Sequence, residues 1–398
     1  MFIAVSAVST TGLATVSTSD TYNFFGELVI LIGIQAGGLG YMTIGSFLLL
    51  ASRSNLSPTR VRLGRSVFGL PASFHLPTFV RRIVIYTVAL EAAGAILLWW
   101  YFRDAEDVEN PLWSGVFHSV SAFCTAGFSL FGDSLEGFRG HLGINIVISL
   151  LSLSGAIGFL VVNDLFDFVR RKKKSFTLTS KIILVSTFGM TLFGALGLYL
   201  FEPSIRELGA EERILASWFQ SMTSLTTVGF NTHAISALSP AVVLLVTMLM
   251  ILGASPCGTG GGLKSTTWSA GFAVLISSLR NRSDVMLFGK AIPQGRLLAA
   301  FAAIVLYVIC FTVGGFLLLV CEPGIVYEDL LFEQASALGT VGISRGITGD
   351  LGAPAKWIVI VTMFLGRTGP VTIGVALAAL LKSAGELDGQ TMEEDVIV

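Results

Sequence analysis

The residues of this 398-residue chain that are best suited to chemistry form a short pattern that occurs four times. Each occurrence has a hydroxyl residue, three further residues, threonine, one residue, glycine and a large apolar residue. We number these segments loops 1 to 4: Ser6–Leu13, Ser121–Phe128, Thr223–Phe230 and Ser336–Ile343. Extended backbone at Thr-x-Gly would direct successive carbonyl groups to one side, since glycine permits backbone angles that are closed to other residues. Four such segments around one axis would form rings of oxygen atoms that replace the hydration shell of a cation.

One Thr-x-Gly alone would indicate no more than a packing contact between helices. The four glycines instead recur about every 100 to 115 residues, which is typical of an internal repeat. We therefore predict that the residues around these glycines form a cation selectivity filter. They are Thr10, Thr11, Gly12, Leu13, Cys124, Thr125, Ala126, Gly127, Phe128, Thr226, Thr227, Val228, Gly229, Phe230, Gly339, Thr340, Val341, Gly342 and Ile343.

A second unusual stretch, which we call the glycine-rich segment (Ala254–Ser265), separates two apolar pieces, Pro240–Gly253 and Thr266–Leu279. Pro256 and the glycines of this segment would break a helix. Broken helices are tolerated at membrane depth where they face protein or a wet cavity. The segment is not a phosphate-binding loop, because that motif has glycine directly before the lysine and here Leu263 occupies the position.

Composition indicates the setting in which these segments act. Hydrophobic residues make up 53% of the chain and charged residues 13%, which indicates a polytopic membrane protein. The same numbers exclude a disordered chain. Four cysteines without a CxxC pair exclude a disulfide-rich secreted scaffold, and a net charge of −1 argues against a nucleic-acid binder.

Seven charge-poor runs are long enough to cross a membrane, since a spanning helix needs about 20 apolar residues. They lie near 22–51, 83–102, 143–163, 182–201, 240–279, 297–320 and 357–381, the fifth being the broken one. Connections rich in Arg and Lys follow the first, third and fifth runs and are expected on the cytoplasmic side, which places the four loops on the external side.

Short amphipathic stretches precede three of the loops and are too short to span a membrane, so they suit re-entrant pore helices. They are Trp113–Ala122, Leu215–Ser224 and Leu330–Ala337.

On these residues the chain resembles the Trk/Ktr/HKT superfamily of potassium transporters, and most closely its bacterial KtrB type. The likeness covers nearly the whole chain. It rests on the four loops, on Ile34–Thr43, on the glycine-rich break at 253–267 and on Phe364–Pro370. The resemblance implies an all-α membrane protein with a pseudo-tetrameric, ion-channel-like fold of four M1–P–M2 repeats around one pore.

The repeats implied by this resemblance have defined bounds. They are 1–51, which is partial, then 83–170, 182–280 with a broken M2 helix, and 297–382, followed by an acidic cytoplasmic tail at 383–398. The first M1 helix is absent from this chain, which begins inside a pore helix at Met1. We therefore expect a truncated sequence or a misassigned start codon, with the N-terminus outside.

The resemblance also implies potassium uptake. Serine at the first filter glycine accompanies sodium selectivity in the plant branch, so Gly12 implies K+ as the transported ion. The glycine-rich segment would be an intramembrane gate, and Arg367 an electrostatic barrier beneath the filter that contacts carbonyl groups of residues 255–263. The implied gate residues are Gly258, Thr259, Gly260, Gly261, Gly262, Lys264 and Arg367.

The family further implies Na+ as a candidate coupling ion, in the manner of a symporter. Its members form homodimers in the inner (plasma) membrane and sit on a cytosolic nucleotide-binding regulatory ring of the KtrA/TrkA type. We therefore expect the lipid bilayer, a second copy and that ring as partners, and no nucleic acid.

Three other functions stay open from the sequence. One is a sodium-conducting or poorly selective transporter of the same fold. Another is an intramembrane enzyme, although the sequence holds no HExxH motif, no paired intramembrane aspartates and no Ser–His pair within the spans. The third is a non-conducting regulatory subunit, favoured by Arg345 close to the fourth filter glycine. That cation should repel potassium unless an acid such as Asp350 pairs with it.

Several other polar residues lie within or beside the spans. We predict that Glu91 is a structural support behind the filter and that Glu27 reaches the membrane interface. Asn163 and Asp164 suit either cation attraction in an inner vestibule or ordinary helix-end polarity. Cys124 and Cys257 are expected to be small apolar fillers.

Overall fold

Helices account for most of the backbone that the structure describes. The computed structural model describes residues 1–51, 76–106, 108–171, 175–282 and 284–369. Its α-helices are α1 (Phe2–Val8), α2 (Thr18–Thr21), α3 (Phe24–Ala51), α4 (Leu76–Phe102), α5 (Pro111–Phe123), α6 (Leu142–Ile157), α7 (Phe159–Val169), α8 (Leu178–Phe201), α9 (Pro203–Arg206), α10 (Ala210–Thr226), α11 (Pro240–Leu252), α12 (Ser265–Leu279), α13 (Gln294–Cys321), α14 (Tyr327–Gly339) and α15 (Ala353–Thr368). Single 3-10 turns lie at Glu136–Phe138 and Ile235–Ala237.

A short antiparallel hairpin, β1 (Met286–Leu287) and β2 (Lys290–Ala291), pairs Met286 with Ala291 in the connection between α12 and α13.

Three helices of the described ranges are long and apolar enough to cross a membrane: Arg81–Phe102 within α4, together with α8 and α13. The bent pair α6 and α7 makes a fourth if it is counted as one span. Residues Phe24–Leu39 of α3 and the whole of α11 form shorter apolar helices. The break predicted within 240–279 agrees with the helix ends of α11 and α12.

Parts of several predictions lie outside the described residues. These parts are the basic connection at 52–75, Lys172–Lys174, residues 370–381 of the last predicted span and the tail at 383–398.

The span predicted near 143–163 is not one continuous helix but a bent pair. Helix α6 ends at Ile157, α7 begins at Phe159, and the two are bent by 95° at Gly158, whose φ is 86°. The bend forms because the glycine-rich segment occupies the hydrogen-bonding groups at this point. Ser255 N donates to Ala156 O at 3.1 Å, and Phe159 N donates to Cys257 O at 2.9 Å. Carbonyl groups of the last turn of α6 are thereby satisfied without a continuing helix.

Each of the four loops is preceded by a short helix: α1, α5, α10 and α14 in turn. The three that the sequence predicted are present, and each extends beyond its predicted stretch at both ends. Asn110 caps α5 by accepting a hydrogen bond from Trp113 N. Acidic residues occupy the first turns of α10 and α14, where the helix dipole favours negative charge.

These short helices pack inside the long ones and bring the four loops together. Helix α5 lies against α4, α10 against α8, and α14 against α15. Helix α1 contacts both α3 and α15, so the beginning and the end of the described chain meet. The core between them is apolar and includes the fully buried Phe117, Phe219 and Phe332.

Replacing Gly158 by alanine should destabilise the protein. The ideal Cβ position at Gly158 lies 2.6 Å from Pro256 O, and the positive φ disfavours any side chain. We expect a loss of about 1–3 kcal/mol, seen as a lower midpoint of thermal unfolding in detergent. Gly189→Ala on α8 is the matched control, since nothing lies within 4 Å of its Cβ position. Equal midpoints for the two variants would contradict the interpretation of the bend.

Candidate cation pathway

The four loops share one backbone conformation around their glycines. Gly12, Gly127, Gly229 and Gly342 all have positive φ, between 66° and 95°. The threonines two positions earlier are left-handed as well, with φ between 49° and 59°. The sequence predicted extended backbone throughout, and that expectation is wrong at the threonine and the glycine. The left-handed turns arise because the chain reverses direction directly after each short helix.

The loops meet as a closed ring. The ideal Cβ position at Gly12, in loop 1, is only 2.4 Å from the carbonyl oxygen of Ala126, in loop 2. The other three glycines repeat this contact around the ring, at 2.0 to 2.4 Å from a carbonyl oxygen of the neighbouring loop. Their respective neighbours are Val228 O for Gly127, Val341 O for Gly229, and Thr11 O for Gly342. Only glycine permits an approach this close, because any Cβ would overlap the neighbouring carbonyl group.

The hydroxyl residue that opens each pattern holds the loop to its own helix in three of the four cases. Ser6 Oγ accepts a hydrogen bond from Gly12 N at 3.1 Å, and Ser336 Oγ accepts one from Gly342 N at 3.0 Å. In loop 2, Ser121 Oγ donates to Phe128 O at 2.9 Å. In loops 1 and 4 the hydroxyl group therefore holds the glycine to the end of the short helix, and in loop 2 it holds the residue after the glycine.

The glycine-rich segment lies directly against three of the loops. Thr259 Oγ1 donates to Phe123 O at 3.0 Å and accepts from Thr125 Oγ1 at 3.2 Å. Gly261 N donates to Thr227 Oγ1 at 3.0 Å, in loop 3. The ideal Cβ position at Gly261 is 2.1 Å from Thr340 Oγ1, in loop 4. The segment thus contacts the threonine ends of loops 2, 3 and 4.

Arg367, near the end of α15, joins three parts of the chain. Its guanidinium group donates to Thr259 O in the glycine-rich segment and to Gly37 O in α3. The contact with Thr259 lies within the predicted range 255–263, whereas the contact with Gly37 was not predicted. Lys264 Nζ donates to Gly260 O at 2.6 Å and so closes the segment on itself. Two basic side chains, Arg367 and Lys264, therefore bond to backbone carbonyl groups of the glycine-rich segment.

Glu91 lies behind loop 2, where the sequence predicted a support. Its carboxylate accepts hydrogen bonds from Gln35 Nε2 at 3.2 Å and from Cys124 Sγ at 3.7 Å. The thiol of Cys124 is therefore a hydrogen-bonding partner as well as an apolar filler. Glu27 accepts from Trp113 Nε1 at 2.6 Å, which ties α3 to α5.

Asp164 accepts hydrogen bonds from Thr177 Oγ1 and Ser180 Oγ, at 2.5 and 2.6 Å. These contacts cap the beginning of α8 and favour helix-end polarity over the vestibule alternative.

Arg345 has a different partner from the one expected. Its guanidinium group pairs with Asp329, on α14, rather than with Asp350. The same side chain donates to Ile235 O and Leu238 O, in the connection before α11. Asp329 lies in the first turn of α14, directly before the buried Leu330, and both side chains of the pair are largely buried.

The fourfold repeat extends beyond the eight residues of loops 1 to 4. A phenylalanine stands four residues before the hydroxyl in every case, and all four are buried: Phe2, Phe117, Phe219 and Phe332. A comparison of the four segments over a longer window would have found this signal.

Outside the ring, Glu202 clamps the connection between α8 and α10 to the beginning of α11. Its carboxylate accepts hydrogen bonds from the backbone N and Oγ of both Ser204 and Ser239, at 2.7 to 3.1 Å. Burial of Glu202 favours the neutral form, but these hydrogen bonds outweigh it and hold the pKa of Glu202 below its ordinary value of 4.5.

The Glu202 clamp predicts a loss of stability in acid. Because the pKa is lower in the folded state, the contribution is present above about pH 4.5 and disappears as the pH falls through the folded pKa. Thermal unfolding midpoints measured across this acid range should fall more steeply in the native protein than in Glu202→Gln. The control is Glu207→Gln, an exposed acid of the same connection. Parallel curves for native and Glu202→Gln proteins would refute the clamp.

Comparisons with known proteins identify the family of this chain. Residues 1–386 match the family described as TrkH, cation transport protein. The chain is 31% identical over 382 residues to the Ktr system potassium uptake protein B of Vibrio alginolyticus, covering 95% of this chain and 84% of that protein. It is 30% identical to the potassium/sodium uptake protein NtpJ of Enterococcus hirae, covering 100% and 89%.

Among solved structures, the potassium transporter TrkH of Vibrio parahaemolyticus has the same fold. The TM-score is 0.74 at 20% identity, over 94% of this chain and 77% of that one. The chain is therefore a transporter rather than an enzyme, and it belongs to the TrkH family of cation transport proteins.

Proposed function

We propose that the chain is the potassium translocation subunit of an uptake system and that the ring of four loops is its selectivity filter. The observation that carries the proposal is the closure of the ring, in which each glycine lies against a carbonyl group of the next loop. The potassium uptake proteins of similar sequence support K+ as the transported ion.

The proposal divides the chain into four units around one pore. Units 2 to 4 each have an outer helix, a short pore helix, a loop and an inner helix, and residues 1–51 provide the pore helix, the loop and the inner helix of the first unit. The units are 1–51, 83–170, 182–280 and 297–382, with the tail at 383–398 beyond them. The inner helix is broken in the third unit and bent in the second.

Carbonyl oxygens of the loops would replace the water around a potassium ion as it enters the ring. Glycine leaves no side chain between neighbouring loops, so their carbonyl groups can line one axis. Below the ring the ion meets the glycine-rich segment, which we propose to be the gate. A segment of small residues can move aside without displacing a large side chain.

Arg367 would add an electrostatic barrier at this gate. A positive charge beside the pathway raises the energy of a cation there, and the effect is strong where water is scarce. Its hydrogen bond to Thr259 also holds the glycine-rich segment against α15. Opening would then require this contact to break.

Partners follow from the same resemblance. We propose a homodimer in the plasma membrane, resting on a cytosolic nucleotide-binding ring, with Na+ as the coupling ion. The word "system" in the names of the Ktr relatives supports further subunits.

A second candidate is a transporter that accepts both potassium and sodium. The name of NtpJ, a relative that covers the whole of this chain, supports it. Competition between the two ions in one flux assay separates the candidates. Excess sodium would not inhibit potassium uptake through a potassium-selective ring, although it would stimulate uptake as a coupling ion, whereas it would inhibit potassium uptake through a ring that accepts both ions.

The proposed filter predicts the effect of replacing one of its glycines. Potassium flux into proteoliposomes should be abolished by Gly229→Asp, because its Cβ position lies 2.1 Å from Val341 O at a φ of 87°. Gly209→Asp introduces the same carboxylate at an exposed position with nothing within 4 Å of its Cβ and should leave flux unchanged. Flux that survives Gly229→Asp in folded protein would exclude the ring as the pathway.

The proposed gate predicts the effect of removing the charge of Arg367. Arg367→Gln removes the charge and weakens the contacts with Thr259 and Gly37, so potassium flux should rise several-fold without a regulatory subunit. Arg103→Gln, at an exposed helix end, is the control for loss of one cation and should have no effect. An unchanged or lower flux in folded Arg367→Gln would argue against the barrier.

A further inference from the structure

A second repeated position lies on the short helices, three residues before the hydroxyl of each loop. It holds Ile3, His118, Gln220 and Glu333. The last three are polar and yet buried, with 0 to 1% of each residue exposed. Buried polar side chains need partners, since an unpaired one costs about 1–3 kcal/mol. We therefore expect a specific hydrogen-bonding partner for this side chain in three of the four units.

In units 2 and 3 this side chain bonds to the residues that directly follow its own loop, which we call the outer segment of that unit. His118 Nε2 shares a hydrogen bond of 2.9 Å with Ser129 Oγ, two residues beyond the filter glycine. Gln220 Nε2 donates to His233 O at 2.7 Å, four residues beyond the glycine. His118 also stacks on Phe230 of loop 3, with ring centroids 5.8 Å apart, and so couples neighbouring loops.

In unit 4 the contact is double. Ser344 Oγ donates to Glu333 Oε2 at 2.7 Å, and Thr348 Oγ1 donates to Glu333 Oε1 at 2.5 Å. One carboxylate thus holds the outer segment at two points, two and six residues beyond Gly342. Hydrogen bonds to carboxyl groups are stronger than those between neutral groups.

Unit 1 lacks both halves of the contact. Ile3 is apolar, and Ala14 stands two residues beyond Gly12, where units 2 and 4 have serine. Neither side chain can form a hydrogen bond. The polar pairing is therefore specific to three units, and the outer part of loop 1 is held without it.

We propose that His118, Gln220 and Glu333 are positioning residues that determine ion selectivity by fixing the outer ends of loops 2, 3 and 4; this rests on the proposed function. Sodium is smaller than potassium, so binding it with the same carbonyl groups requires the ring to contract. A loop tied to a buried helix on its outer side resists that movement. Loop 1 has no such hydrogen bond and can move inward more easily. Glu333 should have the greatest effect on ion selectivity, because it forms two of the contacts.

The test compares variants of Glu333 in proteoliposomes, with potassium uptake measured against increasing sodium. Glu333→Ile places the residue of unit 1 in unit 4 and removes both hydrogen bonds to the outer segment, so it should lower the preference for potassium over sodium about tenfold. Glu333→Gln keeps an amide oxygen that can accept one hydroxyl group and should lose less. Asp350→Asn, an exposed acid in the same outer segment, should match the native protein.

The outcomes are distinct. Glu333→Ile that folds, conducts potassium and keeps the native preference would overturn the proposal and leave Glu333 a structural residue. Absence of flux from the folded native protein would refute the proposed function instead. If Glu333→Ile does not fold, Ser129→Ala decides. That change removes the partner of His118, and it should lower the preference in the same direction, whereas an unchanged preference would overturn the proposal.

Discussion

The structure depends on one steric condition, the approach of a backbone carbonyl group to the Cα of a glycine in the neighbouring loop. This contact occurs four times around the ring, and at each one a Cβ atom would overlap the carbonyl oxygen. The short helices and their opening hydroxyl groups keep the glycines at this distance. The long helices surround the short ones and exclude lipid from the loops, whose polar backbone cannot be left unpaired in hydrocarbon.

The irregular backbone below the ring follows from the same requirement. The glycine-rich segment is not a continuous helix, and several of its N–H and C=O groups bond to α6, α7 and a threonine of the loops. The 95° bend between α6 and α7 lies where these two helices bond to the segment, through Ala156 O and Phe159 N. The ring of loops, the glycine-rich segment and the bent pair α6 and α7 therefore form one hydrogen-bonded unit, and Thr259 lies at its centre, bonded to α5, α6 and Arg367.

The four units share a backbone and differ in the side chains that hold it. Loops 2, 3 and 4 contact the glycine-rich segment, and the same three have a buried polar residue that bonds to their outer ends. Arg345, two residues after loop 4, is in addition paired with Asp329 of α14. The four loops thus share one backbone arrangement, while the side chains that support them differ from unit to unit.

The sequence by itself determined the four loops, the helices before them, the break between α11 and α12, and the family. Those features depend on residue types at short spacing, which a single chain displays directly. Tertiary structure alone decided the bend at Gly158, the left-handed threonines, and the choice of Asp329 over Asp350. Gly158 looks like any glycine in an apolar run, because its partners at Pro256 and Cys257 are about 100 residues away. Asp350 is closer to Arg345 in sequence, but the fold of α14 brings Asp329 to the guanidinium group. Such outcomes depend on long-range packing, which local spacing does not encode.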